Sequence, residues 1–201
     1  MPGNIPLVVG VTGASGSVYG WILLQKLRAI QEVEVHLILS RSGERTAFLE
    51  MGKHASDFRE LANFSYPVED IGCRLASGSF TTAGMVIAPC SIHTMSAIAA
   101  GISSNLLIRA ADVTLKERRK LILMVRESPL HLGHLRSMTA LAEMGAILAP
   151  PMPAFYHMPV TVADLVEQSV DRIMDLLGFP SPGAPRWDGG TNVKRDKSRD
   201  K

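Results

Sequence analysis

Two rhythms alternate along the chain. Short, largely aliphatic runs stand at residues 8–11, 33–39, 84–88, 121–125 and 146–148, each with the length of a buried strand. Between them apolar residues recur at helical spacing. Trp21, Leu23, Leu24, Leu27 and Ile30 predict an amphipathic helix over 17–30. Further helices are expected over about 42–51, 91–100, 106–116, 130–144 and 162–177, the last N-capped by Thr161. Residues 54–79 are the least regular part: a short helical stretch, then Pro67, Asp70 and Ser77-Gly78-Ser79. They read as a loop reaching over the sheet edge or a ligand. Five strands alternating with helices predict a single-domain α/β fold, a doubly wound parallel sheet of flavodoxin/Rossmann-like type, with ligands at the carboxyl ends of the strands.

Composition adds assembly to this picture. The 201 residues are 46% apolar and 20% charged, with mean hydropathy +0.15, which is apolar for a monomer and predicts surface covered by other subunits. The formal charge of +2 selects no partner. Two cysteines, Cys73 and Cys90, without a CxxC pair, fit reduced thiols, and the first turn begins too early to leave room for a leader. A cytoplasmic protein is expected, with no membrane or nucleic-acid partner. Residues 1–187 form the expected domain, and the charged tail 188–201 has little to bury and is expected to be disordered.

The first strand runs into Gly10-Val11-Thr12-Gly13-Ala14-Ser15-Gly16 and passes directly into a helix. Small residues let backbone N–H groups approach an anion, and the helix aims its positive end at the same place, so this turn is a candidate phosphate site. Its glycines are spaced G-x-x-G-x-x-G and not G-x-G-x-x-G, and no Walker lysine follows. A dinucleotide also asks for an acid at the end of the second strand, where Ser40-Arg41 stands. A mononucleotide is expected, a flavin first. A turn made small only for packing is the alternative.

Four of the five expected strand ends carry polar or small groups: Ser15, Ser40, Ser91 with Thr94, and Arg126 with Glu127. Their convergence on one side of a sheet points to a ligand site. Ser91 and Thr94 either donate to a ligand or cap a helix. Arg126 and Glu127 either form a structural ion pair or handle a charged substrate. Arg109, Asp112 and Lys116 share a helical face, the pattern of a solvated surface with an internal ion pair. Tyr156 and Arg172 have the chemistry to bind a second phosphate, and Glu50 reads as an exposed helix carboxylate. His131 and His134 make half a metal site without a third ligand, so no metal is expected. Cys90 reads as a buried thiol.

Several motifs then occur in order: Thr12-Gly13-Ala14-Ser15-Gly16, Ala76-Ser77-Gly78-Ser79-Phe80, Pro89-Cys90-Ser91, Arg109-Ala110-Ala111-Asp112-Val113 with Leu115-Lys116-Glu117-Arg118-Arg119, Val125-Arg126-Glu127, and Pro151-Met152-Pro153-Ala154-Phe155-Tyr156-His157. Together, over residues 5–187, they resemble the UbiX/Pad family of flavin prenyltransferases. The resemblance implies an enzyme that binds reduced FMN and dimethylallyl monophosphate and joins the dimethylallyl group to flavin N5 and C6. The prenylated FMN then serves a UbiD-type decarboxylase. It implies that Gly13, Ala14, Ser15, Ser40, Ser91, Ile92, His93, Thr94 and Arg126 hold FMN. Lys116, Tyr156 and Arg172, with Arg109 nearby, would bind the prenyl phosphate, and Glu127, Glu50 and Ser15 are the catalytic candidates. A homododecamer with sites between subunits is implied as well. Ile71 stands where some members carry a pocket-wall tryptophan.

The chemistry agrees with that assignment. Cleaving an allylic C–O bond releases a phosphate dianion and an allyl cation, so cations are needed on the phosphate, and Lys116, Arg109, Arg126 and Arg172 supply them. Two other readings stay on the same fold: a flavin-dependent decarboxylase of the cysteine-decarboxylating type, and a non-enzymatic flavin carrier or accessory subunit of a hydroxyaryl decarboxylase. The joint presence of Lys116, Glu127, Tyr156 and Arg172 favours the prenyltransferase.

Overall fold

The alternation along β1 (Ile5–Val11) divides the core in two. Leu7, Val9 and Val11 join one buried cluster and Val8 joins the other, because successive strand residues point to opposite faces. A computed structural model describes residues 4–181 with Ala184 and Arg186, so the tail expected to be disordered lies outside the described residues. After β1 come α1 (Ser17–Arg28), β2 (Val33–Leu39), α2 (Arg41–Met51), α3 (Ala55–Glu60), β3 (Phe64–Tyr66), β4 (Gly84–Cys90), α4 (Ile92–Ala99), α5 (Leu106–Lys116), β5 (Lys120–Val125), α6 (Leu132–Glu143), β6 (Ile147–Leu148) and α7 (Val162–Leu177). A 3-10 turn at Arg74–Ala76 interrupts the long β3–β4 connection.

All strand pairs are parallel, and the order across the sheet is β3-β2-β1-β4-β5-β6. The chain builds outward from β1 in one direction, then returns to its other side with β4, so the order reverses between β1 and β4. One face carries α1, α2, α3 and α7, with Leu23, Leu24, Leu27, Phe58, Val170 and Ile173 in its core. The other carries α4, α5 and α6, with Met95, Ile98, Leu107, Ile108 and Leu141. Every residue of β4 is buried, as a central parallel strand covered on both faces requires.

The sheet has six strands where five were expected, because β3 lies inside the segment read as a loop. Three residues are too few for a periodic signal, and this strand is held by one side chain of β2. His36, fully buried, stands opposite Phe64 and stacks on it at 5.0 Å, with Tyr66 at 5.8 Å and the edge of Phe80 at 5.2 Å. Its Nδ1 lies 3.0 Å from the Tyr66 hydroxyl and its Nε2 2.8 Å from Glu34 Oε1. Burial lowers the His36 pKa against the raising effect of Glu34. No helix among the described residues is long and apolar enough to cross a membrane.

Candidate functional site

Parallel strands bring their carboxyl ends to one edge, and backbone bonds fasten those ends to one another. Ser40 N donates to Val11 O at 3.0 Å, Thr12 N to Pro89 O at 3.3 Å and Arg126 N to Cys90 O at 3.1 Å. The expected residues Ser15, Ser40, Ser91, Thr94 and Arg126 are thus gathered where the strand order reverses. The residue that joins the two halves is Thr12, which sequence reasoning did not single out. It is 1% exposed; its hydroxyl donates to Pro89 O at 2.7 Å and accepts from Ser91 N at 2.8 Å. A hydroxyl closing an apolar β-branched run was the available signal.

The capping alternative raised for Ser91 holds in this chain, and Ser40 caps a helix as well. Ser40 accepts from Gly43 N at 3.0 Å at the start of α2, and Ser91 accepts from Thr94 N at 3.3 Å at the start of α4. The Ser91 hydroxyl also lies 3.2 Å from that of Thr94, which is buried; Ile92 is half-buried and His93 exposed. A cap on the protein side leaves a hydroxyl with a further lone pair or proton for a ligand.

The first turn corrects an expectation. Glu50, near the C-terminus of α2, accepts from Gly16 N at 3.0 Å and Ser17 N at 2.8 Å, so a carboxylate of the chain itself sits on the N-terminus of α1. The positive end of α1 is therefore not open to a phosphate through these two N–H groups; Glu50 is an exposed helix carboxylate as expected, but one engaged by the turn. Burial pushes its pKa up, but the Ser15 hydroxyl and the N–H groups of Ser17 and Gly16 outweigh this and hold it below the usual carboxylate value. Gly16 adopts φ +100°, the left-handed conformation that turns its N–H toward Glu50 without a Cβ penalty. At Gly13 a Cβ would come within 2.5 Å of Ser42 Cβ, so only glycine lets this turn lie against α2.

Arg126 is exposed and lies near Tyr19, whose phenol burial raises and Arg126 pulls back. Glu127 does not pair with it: its carboxylate accepts from Ser128 N at 3.0 Å and is exposed at the same edge. Hydroxyls at three strand ends, a guanidinium at the fourth and a small-residue turn make a donor set that fits the phosphate and polyol chain of a flavin mononucleotide.

The four residues expected on a second phosphate are not brought together within one chain. Arg109 and Lys116 lie on α5, whose C-terminus meets the amino end of β5; six strand residues at about 3.3 Å each separate that end from Arg126 by about 20 Å. Arg109, in the first turn of α5, pairs with Asp112 at 2.7 Å, the internal ion pair that the spacing predicts, and donates to Ala76 O at 3.3 Å. Lys116 pairs with Glu117, and Arg119 donates to Gly78 O and Phe80 O at 2.7 and 2.8 Å, holding the Ser77-Gly78-Ser79 loop beside them. Tyr156 and Arg172 line a different place, a cavity of about 610 Å³ between α7 and the 149–157 segment, beside the carboxyl ends of β5 and β6. Among the described residues Arg172 makes no hydrogen bond or ion pair. Ile71 is 57% exposed and walls nothing in a single chain.

His131 accepts from Gly133 N at 3.0 Å as the N-cap of α6 and lies 3.5 Å, ring to ring, from His134. No group of three or more His, Cys, Asp or Glu among the described residues is placed to hold a metal. Cys90 is fully buried, and burial raises its thiol far out of the reactive range.

The flavoprotein family model matches residues 1–176. The flavin prenyltransferase UbiX of Thauera aromatica is 51% identical over 193 residues, covering 96% of this chain and 99% of that protein. The chain belongs to the flavin prenyltransferase family. Its fold agrees. A crystal structure described as a dodecameric FMN-dependent UbiX-like decarboxylase from Escherichia coli O157:H7 superposes with TM-score 0.91 at 47% identity, covering 92% of this chain and all of that one. AnUbiX (PadA1), solved with FMN and dimethylallyl pyrophosphate, gives TM-score 0.90 at 41% identity over 92% of this chain and 98% of that one. Membership decides for an enzyme of the flavin prenyltransferase family over a carrier protein.

Proposed function

We propose that this chain transfers the dimethylallyl group of dimethylallyl monophosphate to N5 and C6 of reduced FMN. The observation that carries the reading is the pairing of two distinct sites on one family member: a hydroxyl-rich edge where the strand order reverses, and a cavity with Tyr156 and Arg172 beside it. In this reading Gly13, Ala14, Ser15, Ser40, Ser91, Ile92, His93, Thr94 and Arg126 hold FMN. With Glu50 on α1, the flavin phosphate falls to the turn and to the Ser40 end of α2. Reduced FMN supplies the nucleophilic positions, and every other task belongs to the protein.

Tyr156 and Arg172 grip the prenyl phosphate and take up its charge as the C–O bond breaks. Glu127 moves the protons lost from the flavin, while Glu50 and Ser15, joined by a hydrogen bond, form a second proton-holding pair at the turn. Lys116 and Arg109 reach the phosphate from another copy of the chain, which makes the assembly part of the active site; a homododecamer is the expected form. The relative described as dodecameric supports that reading, as do exposed Met152, Phe155, Met158, Val160 and Val162 around the cavity. The product goes to a UbiD-type decarboxylase in the cytoplasm, in keeping with the free thiols Cys73 and Cys90. Anaerobic incubation with reduced FMN and dimethylallyl monophosphate, followed by mass spectrometry of the extracted flavin, should show a five-carbon adduct. Recovery of unmodified FMN alone would refute the activity.

A further inference from the structure

The cavity beside α7 holds an acceptor that nothing among the described residues satisfies. Gln168 lines it, and its Oε1 is buried without a hydrogen-bond partner. A buried amide oxygen left unpaired is unfavourable, and few persist without a reason. The two carboxylates of the cavity wall are already paired: Asp171 with Lys26 at 2.7 Å, a lysine it shares with Glu167, and Asp175 with Arg186 at 2.7 Å. Ser169 donates to Leu165 O within its own helix. Besides Tyr156 and His157 on the facing segment, what remains is a guanidinium, Arg172, and one turn before it the Gln168 amide. Residues i and i+4 are neighbours on a helix face.

We infer that Gln168 is a positioning residue for the phosphate of the substrate, an assignment that rests on the function proposed above. Its Oε1 accepts an N–H of Arg172 when the guanidinium turns into the cavity, fixing the plane of the fork. Its amide N–H₂ then donates to a phosphate oxygen beside it. A carboxamide suits this place because it carries an acceptor for the cation and a donor for the anion, while a carboxylate would hold Arg172 but repel the phosphate.

The test uses the FMN-loaded full-length protein titrated calorimetrically with dimethylallyl monophosphate and, separately, inorganic phosphate. Gln168→Met keeps the length and removes the hydrogen bonds; both ligands should bind roughly tenfold more weakly, the scale of a hydrogen bond to a charged group. In turnover KM should rise by the same factor with kcat nearly unchanged, the signature of lost uniform binding. Gln168→Glu should lose more than the methionine variant, and FMN affinity and assembly size should match the parent in both. Unchanged phosphate and monoester binding in Gln168→Met would overturn the assignment. So would equal losses of FMN, monoester and assembly in both variants, since that is the mark of a structural role. A parent that binds inorganic phosphate but not the monoester, with Gln168→Met still weakening phosphate, keeps the anion role of Gln168 and refutes the prenyl-phosphate reading instead.

Discussion

Two places in this molecule are built for negative charge, and they are finished to different degrees. At the N-terminus of α1 the chain supplies its own anion, Glu50, and the strand ends beside it are tied by Thr12. In the cavity along α7 the carboxylates are paired off, while Arg172 and the Gln168 oxygen are not. The first place is braced before any ligand arrives and so suits holding a flavin in one orientation; the second keeps a guanidinium unpaired among the described residues, as the proposed release of a phosphate asks. In the proposed reaction both ligands turn over, so the contrast is one of order: the preformed edge orients the flavin, and the unsatisfied cavity receives the phosphate ester that reacts with it.

Four substitutions break or sharpen that contrast. The largest effect is expected from Glu127→Gln, which keeps shape but removes the base: FMN should still bind while single-turnover adduct formation slows by roughly 10² or more. An unchanged rate would remove Glu127 from the mechanism. Arg172→Ala should weaken dimethylallyl monophosphate roughly 10- to 150-fold and leave FMN affinity intact, measured by titrating each ligand. Equal loss of both would erase the division between the two places. On the rigid side, Thr12→Val leaves the Pro89 carbonyl only its backbone donor and strands the Ser91 N–H, and urea unfolding should show about 1–3 kcal/mol lost.

The smallest effect concerns Glu50. Because its folded pKa lies below the unfolded value, the stability it contributes is present above about pH 4.5 and is lost as pH falls through the folded value. Glu50→Gln should therefore lower stability by about 1 kcal/mol at neutral pH, in line with the loss of a helix cap, and flatten the unfolding midpoint against pH in the acid range. A slope identical to the parent's would mean that the carboxylate does not hold the turn.

Much of this was legible in the sequence because it depends on near neighbours. The α7 boundaries follow from Thr161 and an apolar stripe, and Thr161 does accept from Asp164 N at 3.1 Å. The Arg109–Asp112 pair follows from i, i+3 spacing. The strand ends of the site follow from where apolar runs stop. What escaped depends on distant partners. β3 pairs with β2 and packs on His36, about 30 positions earlier, and Glu50 meets Gly16 across 34 positions. Lys116 stands apart from Arg172 within one chain for a topological reason, in keeping with the expectation of sites between subunits: a helix that returns antiparallel to its strand delivers its last residue to the far end of the sheet.

That separation has a genetic meaning. If one chain's Lys116 completes the cavity holding another chain's Arg172, two alleles each defective in a different one of these residues need not be defective together. In assemblies mixed at random from equal amounts, roughly one site in four would draw both intact residues, so two silent gene copies expressed in one cell would restore activity to each other.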